Sequence, residues 1–174
     1  MATSSMTSDL SRADADPRGS AQARARGTAR IGKLAEVFAR MALGAAFLSA
    51  VADRFGLWGA PGKPGVDWGD FRHFTQYAGM VNSFLPARMI PAVAWAATIA
   101  ETTFGLSLIL GIYKRAAALG SAALLLMFAL AMSISFGIKA PLGYSVFAAS
   151  AAAFLLFASQ GERAKGAGDE GNGA

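Results

Sequence analysis

The chain has 174 residues, of which 54% are hydrophobic and only 16% are charged; soluble domains have roughly 25% charged residues. Long uncharged stretches after residue 34 exclude a soluble globular protein and are typical of an integral membrane protein. The sequence has no cysteine and one histidine, which excludes disulfides, thiol redox chemistry and a multi-histidine metal site. We interpret the net charge of +5 as a sign of membrane topology and lipid contact and expect no nucleic-acid partner.

The N-terminal segment, residues 1–30, is rich in Ala, Ser, Thr and Arg and has almost no large apolar side chain. It can bury too little surface to offset its ordering entropy, so we predict a disordered basic tail. Residues 34–52 are mostly apolar. At about 1.5 Å per residue they extend about 28 Å, close to the hydrocarbon thickness of a bilayer, and predict the first membrane-spanning helix.

The connection that follows, residues 53–89, is polar and aromatic and begins with Gly- and Pro-rich turn sequence. Apolar residues then recur at the three- and four-residue spacing of one helical face: Phe71, Phe74, Ala78, Val81 and Leu85. Trp and Tyr, which favour membrane interfaces, lie within this stretch. We therefore predict an amphipathic helix over about 67–84, lying at the outer interface.

Three further apolar stretches predict helices over 90–112, 116–138 and 141–159, separated by short turns that contain basic residues. The segment from residue 161 is Gly-rich and charged and is predicted to be a disordered tail. The expected architecture is thus all-α: residues 31–160 form an integral membrane four-helix bundle with an extra interfacial helix between helices 1 and 2.

The basic residues predict the orientation of this bundle. With the N-terminus inside, the inner segments hold ten Lys and Arg residues and the outer segments hold five. The positive-inside rule then places both termini in the cytoplasm of a multi-pass protein of the cell membrane, the inner membrane where a cell has two.

One charge interrupts the predicted second helix. Glu101 lies near its middle, where an ionisable side chain is costly and is retained with a partner or a role. Helical rise places Arg40 of helix 1 within about 7 Å of it in depth, so we predict that these two residues pair. Glu36 lies four residues before Arg40 on the same face and could extend a polar track from the cytoplasmic side.

This track has two interpretations. It could form a proton path, or a headgroup site for a quinone or lipid; alternatively, it is a structural ion pair that fixes helix register. Asp53 and Arg54, at the outer end of helix 1, are either ordinary interfacial charges or part of an outer-mouth site with His73.

Two blocks of sequence resemble the DoxX-like family of small four-helix membrane proteins. The first is Arg40-x-x-x-Gly44-x-x-Phe47, closed by the basic Arg54; the second is Ala100-Glu101-x-x-x-Gly105-x-x-Leu108, followed by a basic turn. The resemblance covers about residues 34–159. The family often has Gly before the basic residue that closes helix 1, where this chain has Asp53.

The resemblance implies a role near redox chemistry, because the family includes a subunit of an archaeal thiosulfate:quinone oxidoreductase and members of redox-stress complexes at the membrane. It implies a quinone as a possible cofactor and other membrane redox subunits as partners. Membrane lipids are expected partners from the charge, and a transporter of only four helices would need further copies of this chain. Arg40, Arg54 and Glu101 are the positions onto which the family's intramembrane polar pattern falls. Two alternatives stay open from the residues alone: a non-enzymatic membrane adaptor and a small proton-coupled transporter.

Overall fold

The computed structural model describes residues 17–170, and every regular element in that range is helical. The all-α class is therefore confirmed for this part of the chain. The helices are α1 (Pro17–Arg54), α2 (Phe71–Val81), α3 (Ile90–Leu110), α4 (Lys114–Phe136), α5 (Lys139–Gly143) and α6 (Val146–Glu170), and a 3₁₀ turn at Ala87–Met89 leads into α3.

The chain divides into two units, residues 1–37 and residues 38–174. In the first unit α1 begins at Pro17, so residues 17–30 are helical where the composition predicted disorder; residues 1–16 lie outside the described range. Ala, Arg and Gln are strong helix formers, and proline is tolerated in a first turn, which accounts for the difference.

The predicted C-terminal tail differs in the same way. Helix α6 continues to Glu170, past the expected end of the membrane domain at residue 160, and residues 171–174 lie outside the described range. The Glu, Arg, Ala and Lys residues after position 161 favour a helix.

Three helices of the described part of the chain are long and apolar enough to cross a membrane: Arg24–Arg54, Ala87–Leu110 and Lys114–Phe136. A further apolar helix, Val146–Gly161, is shorter. The stretch predicted as one fourth helix is divided, because α5 ends at Gly143 and Ser145 has the left-handed φ of +56°. The chain therefore turns once more before α6 begins.

Small residues allow the helices of the second unit to approach closely. Gly44 of α1 faces Gly105 of α3, and a Cβ atom at Gly44 would lie 2.9 Å from the Gly105 carbonyl oxygen. Alanines serve the same purpose between α4 and α6, where Ala118, Ala122 and Ala153 are buried. These contacts agree with the preference for small residues where membrane helices pack.

Helix α2 confirms the predicted amphipathic face. Its carboxylate N-cap, Asp70, accepts a hydrogen bond from the His73 amide, as N-capping side chains do. Phe74, Ala78 and Val81 are buried on the inner face. Phe74 and Ala78 form a second core cluster with Ile90 and Ala94 of α3, so α2 covers the N-terminal part of α3.

Candidate functional site

Among the side chains that the structure describes, the most buried charged ones form one ion pair. Nη2 of Arg54, the last residue of α1, lies 2.7 Å from each carboxylate oxygen of Glu101 in α3. Nη1 of Arg54 donates to the hydroxyl of Thr98 at 2.9 Å. The side chains of Arg54 and Glu101 are 3% and 2% exposed. Glu101 therefore has a partner, as expected for a charge inside a membrane helix.

The predicted partner of Glu101 was wrong. Arg40 instead donates from Nε to the carbonyl oxygen of Leu108 at 3.0 Å. That carbonyl belongs to the last turn of α3, where carbonyl groups lack helical partners. Depth along straight helices favours Arg40, whereas the family resemblance includes Arg54 in the intramembrane polar pattern without pairing it with Glu101. The polar track from Glu36 is thus not continued by an Arg40–Glu101 contact, and since Glu36 belongs to the first unit, its own part in a site stays a prediction.

Aromatic side chains cover the Arg54 guanidinium group. Its central carbon lies 3.7 Å from the centre of the Phe74 ring and 5.4 Å from that of Trp68. The two rings meet edge to face at 5.1 Å. Such contacts stabilise a cation that has lost its water. Because Phe74 comes from α2 and Trp68 from the loop before it, residues 55–81 act as a cover over the pair.

Asp53 fixes this cover to α1. Its Oδ2 accepts hydrogen bonds from the backbone amides of Asp67 at 3.0 Å and Trp68 at 2.8 Å, and the residue is 4% exposed. Within the described residues its Oδ1 atom has no hydrogen-bond partner. Gly69, with φ +71°, follows directly and packs against the Ala60–Pro61 backbone, leaving no room for a Cβ atom. Asp53 therefore positions the loop that carries Trp68.

His73, the third outer-mouth candidate, lies away from the ion pair. Its Nδ1 is 2.9 Å from Oδ1 of Asp70, and both side chains are more than 40% exposed. The hydrogen bond from the His73 amide lowers the pKa of Asp70, and the ring contact adds to this effect. His73 and Asp70 are therefore a helix-capping pair on the surface of the cover.

A cavity of about 530 Å³ lies between α1, α2, α3, α4 and the start of α6. Arg54 and Glu101 line it, together with a third ionisable side chain, Asp67. Two phenols, Tyr77 and Tyr144, also line it, and burial raises the pKa of Tyr77. The remaining wall is mostly apolar and includes Phe47, Ala97, Leu125, Phe128 and Met132. A cavity of this size and lining suits a small amphipathic ligand.

Three of these features were not predicted from the sequence. Asp67 and Tyr144 carried no motif, and Phe74 was recognised only as part of an apolar helical face. The signal that could have indicated the Arg54–Glu101 pair is in the order of elements: a helix that ends in Arg, followed by an aromatic amphipathic helix able to cover it.

Most residues of this site lie in a part of the chain that matches a known protein family. A family model described as DoxX matches residues 35–134, which is more than half of the chain. The chain belongs to the DoxX family. The matched part of this DoxX protein holds the ion pair, the cover and the Gly44–Gly105 contact, whereas Tyr144 and α6 follow it. Neither the curated proteins nor the solved structures give a match.

Family membership also bears on the cellular environment. The DoxX match and the apolar helices Arg24–Arg54, Ala87–Leu110 and Lys114–Phe136 identify an integral membrane protein. In that setting the exposed apolar side chains of α3 and α4, such as Ile99, Leu110, Met127 and Ile134, have hydrocarbon rather than water as their neighbour.

Proposed function

We propose that this DoxX protein is a quinone-binding subunit of a membrane redox system, and that the quinone lies in the cavity beside Arg54 and Glu101. The observation that supports the proposal is the combination of an apolar cavity of about 530 Å³ with a buried ion pair in its wall. Ligand sites are commonly apolar cavities with a few convergent polar groups and ionisable residues in unusual surroundings.

The cavity residues suit the chemistry of a quinone. A quinone ring carries two carbonyl acceptors, and the phenols of Tyr77 and Tyr144, two of the cavity-lining residues, are possible donors to them. Phe47, Leu125 and Phe128 offer an apolar surface to the ring and the start of its tail. A bound quinone would supply two-electron redox chemistry, while the electron donor or acceptor would be a partner subunit.

The proposed placement in the cell membrane has four crossings and both termini in the cytoplasm. The ten-to-five distribution of basic residues supports this orientation. Together with α5, the shorter helix Val146–Gly161 would make the fourth crossing. Since the chain has no cysteine, a Ser4→Cys or a Gly173→Cys variant can be tested with a membrane-impermeant thiol reagent. If the reagent labels either variant in intact cells, that terminus is outside and the proposed orientation is wrong.

The first experiment is mass spectrometry of the small molecules that co-purify with the protein in mild detergent. We expect a stoichiometric quinone in the wild type and its loss in Glu101→Gln. The variant Ala97→Leu fills the cavity wall and should also lose the quinone. The matched control is Ala96→Leu, because Ala96 is the neighbouring residue of α3, is exposed and does not line the cavity.

Each outcome decides between functions. A quinone in the wild type and in Ala96→Leu, but not in Ala97→Leu, supports the proposal and locates the site. A wild type without any small molecule contradicts it and leaves the adaptor or the transporter. A quinone that all variants retain equally would bind elsewhere on the protein, and the cavity would lose its assigned role.

A further inference from the structure

The charges on the cavity wall are unequal in number. One cation, Arg54, and two carboxylates, Glu101 and Asp67, line the cavity. Asp67 is exposed, whereas Arg54 and Glu101 are buried. With all three side chains ionised, the described wall is negative overall, and Arg54 already has a counterion at 2.7 Å.

Three of the five N–H groups of Arg54 form hydrogen bonds within the described residues. Nη1 donates to Thr98 and Nη2 to both oxygens of Glu101. Nε has no hydrogen-bond partner in residues 17–170 but is itself buried, and Phe74 covers a face of the guanidinium group. An anion that paired fully with the Arg54 guanidinium would have to take the place of Glu101, which holds both hydrogens of Nη2. That exchange leaves a carboxylate buried without a partner, which is strongly unfavourable.

An uncharged polar head meets no such obstacle. Tyr77 and Tyr144 are among the residues that line the cavity, and Tyr144 is largely exposed. In the described part of the chain neither phenol forms a hydrogen bond with another residue. A phenol can donate to a carbonyl or accept from a hydroxyl. The apolar wall accommodates a hydrocarbon tail, as burial of apolar surface favours.

We infer that the cavity binds uncharged amphipathic molecules and rejects anionic ones, and that Glu101 is the residue that determines this specificity by neutralising Arg54. The inference rests on the proposed function, because it concerns the same cavity, but it extends to any ligand of this class, whether a quinone or a lipid-like alcohol. Neutralising Glu101 releases the charge of Arg54 and converts the cavity into a site for anions.

The test compares two pairs of probes, each matched except for charge. One pair is a short-tailed benzoquinone and the same quinone with a ring sulfonate; the other is a brominated twelve-carbon alcohol and the corresponding sulfonate. All four quench tryptophan fluorescence. Trp68 lines the cavity, so it is made the sole tryptophan by Trp58→Phe and Trp95→Phe. Binding is measured in phosphatidylcholine nanodiscs, with protein-free discs as the partition blank.

We expect the neutral member of a pair to bind at least about tenfold more tightly in the wild-type cavity. Glu101→Gln should reverse this preference. Asp67→Asn, which removes an exposed carboxylate, should raise sulfonate affinity by about threefold, since solvent screens its charge. Asp70→Asn is the control: it removes an equal charge outside the cavity and keeps a good N-cap residue, so the ratio should not change.

Several results would overturn the inference: equal binding of both members of each pair in the wild type, tighter binding of the sulfonates, or no quenching by any probe. An unchanged ratio in a folded Glu101→Gln protein would also overturn it. If Glu101→Gln does not fold, an unchanged ratio in Asp67→Asn decides against it. Selectivity within the alcohol pair, with no binding of either quinone, would sustain the inference and end the quinone proposal.

Discussion

Arg54 and Arg40 lie on one face of α1, about four turns apart, and each binds α3 in a different way. Arg54 binds two side chains, Glu101 and Thr98, beside a cavity and beneath an aromatic cover. Arg40 binds a backbone carbonyl at the end of α3. An intramembrane arginine is therefore not by itself a functional signal. A backbone carbonyl cannot titrate or be exchanged for a ligand, whereas a carboxylate in a cavity wall can do both.

The largest expected effect on stability comes from replacing Arg54. Arg54→Gln leaves the Glu101 carboxylate buried without a counterion, and we expect it to lower the free energy of unfolding by about 3–5 kcal/mol. Reversible unfolding of the full chain in detergent micelles measures this loss. The double variant Arg54→Leu, Glu101→Leu should recover most of it, because an apolar pair needs no counterion. A loss below about 1 kcal/mol would place Arg54 in the same class as an exposed ion pair.

The next largest effect concerns the Gly44–Gly105 contact of α1 with α3, since Gly44 lies between Arg40 and Arg54 in α1. A Cβ atom at Gly44 would lie 2.7 Å from Ile109 Cγ1 and 2.9 Å from the Gly105 carbonyl oxygen. We expect Gly44→Ala to cost about 1–3 kcal/mol by overpacking. The control is Gly27→Ala in the same helix, where a Cβ atom meets nothing within 4 Å, and which should stabilise the protein slightly. Equal unfolding free energies for both variants would show that α1 and α3 can move apart to accommodate the methyl group without loss of stability.

Arg40→Gln should have a smaller effect than either change. It removes a charged hydrogen bond to the Leu108 carbonyl and a cation from the end of a helix dipole, which together stabilise by about 1–2 kcal/mol. Arg40→Lys should recover part of this, since it restores the charge but not the guanidinium geometry. If unfolding measurements show that Arg40→Gln costs as much as Arg54→Gln, the two arginines contribute equally to stability and the proposed difference between them is wrong.

The smallest expected effect concerns the stability of the cover over Arg54, which includes α2. Asp70 caps α2, and its pKa is lowered below the ordinary value of 3.8 by the hydrogen bond from the His73 amide. A lowered folded-state pKa means that the capping contribution is fully present above pH 3.8 and is lost as the pH falls through the lowered value.

Hydrogen exchange of the α2 amides measures this dependence. We expect protection to be constant from neutral pH down to the ordinary pKa of Asp70 and to fall below it, after correction for the intrinsic exchange rate. In Asp70→Asn the same amides should show no such step, because asparagine caps without titrating. A step of equal size in the variant would assign the loss to another group.

Much of the fold could be predicted from the sequence because its signals are local. The apolar stretches predicted α3, α4 and the end of α1 to within about two residues, and the spacing of Phe74, Ala78 and Val81 predicted the buried face of α2. The start of α1 and both ends of α6 lie further from the predicted positions. The break before α6 could not be foreseen, since it depends on a left-handed φ at Ser145, a conformation that serine rarely adopts.

The candidate site was predicted only in part. Glu101 could be identified because a charge within an apolar helix needs an explanation. Its partner could not, since depth was judged along straight helices, and Arg54 is buried only because residues 55–81 fold back over it. Asp53 was an outer-mouth candidate, but its role in positioning the loop could not be predicted, because the amides that it binds lie 14 and 15 residues further along the chain.

The Arg54–Glu101 pair also has a consequence for biogenesis. Its members are 47 residues apart, so α1 enters the membrane well before α3 leaves the ribosome. Inserted alone, α3 would carry a charge whose cost is about 2.5–3.5 kcal/mol on translocon-based scales. We therefore expect α3 to insert poorly without α1 and well beside it. Glycosylation mapping of α3 in a host protein, with and without residues 1–89 before it, would show whether α1 promotes the membrane insertion of α3.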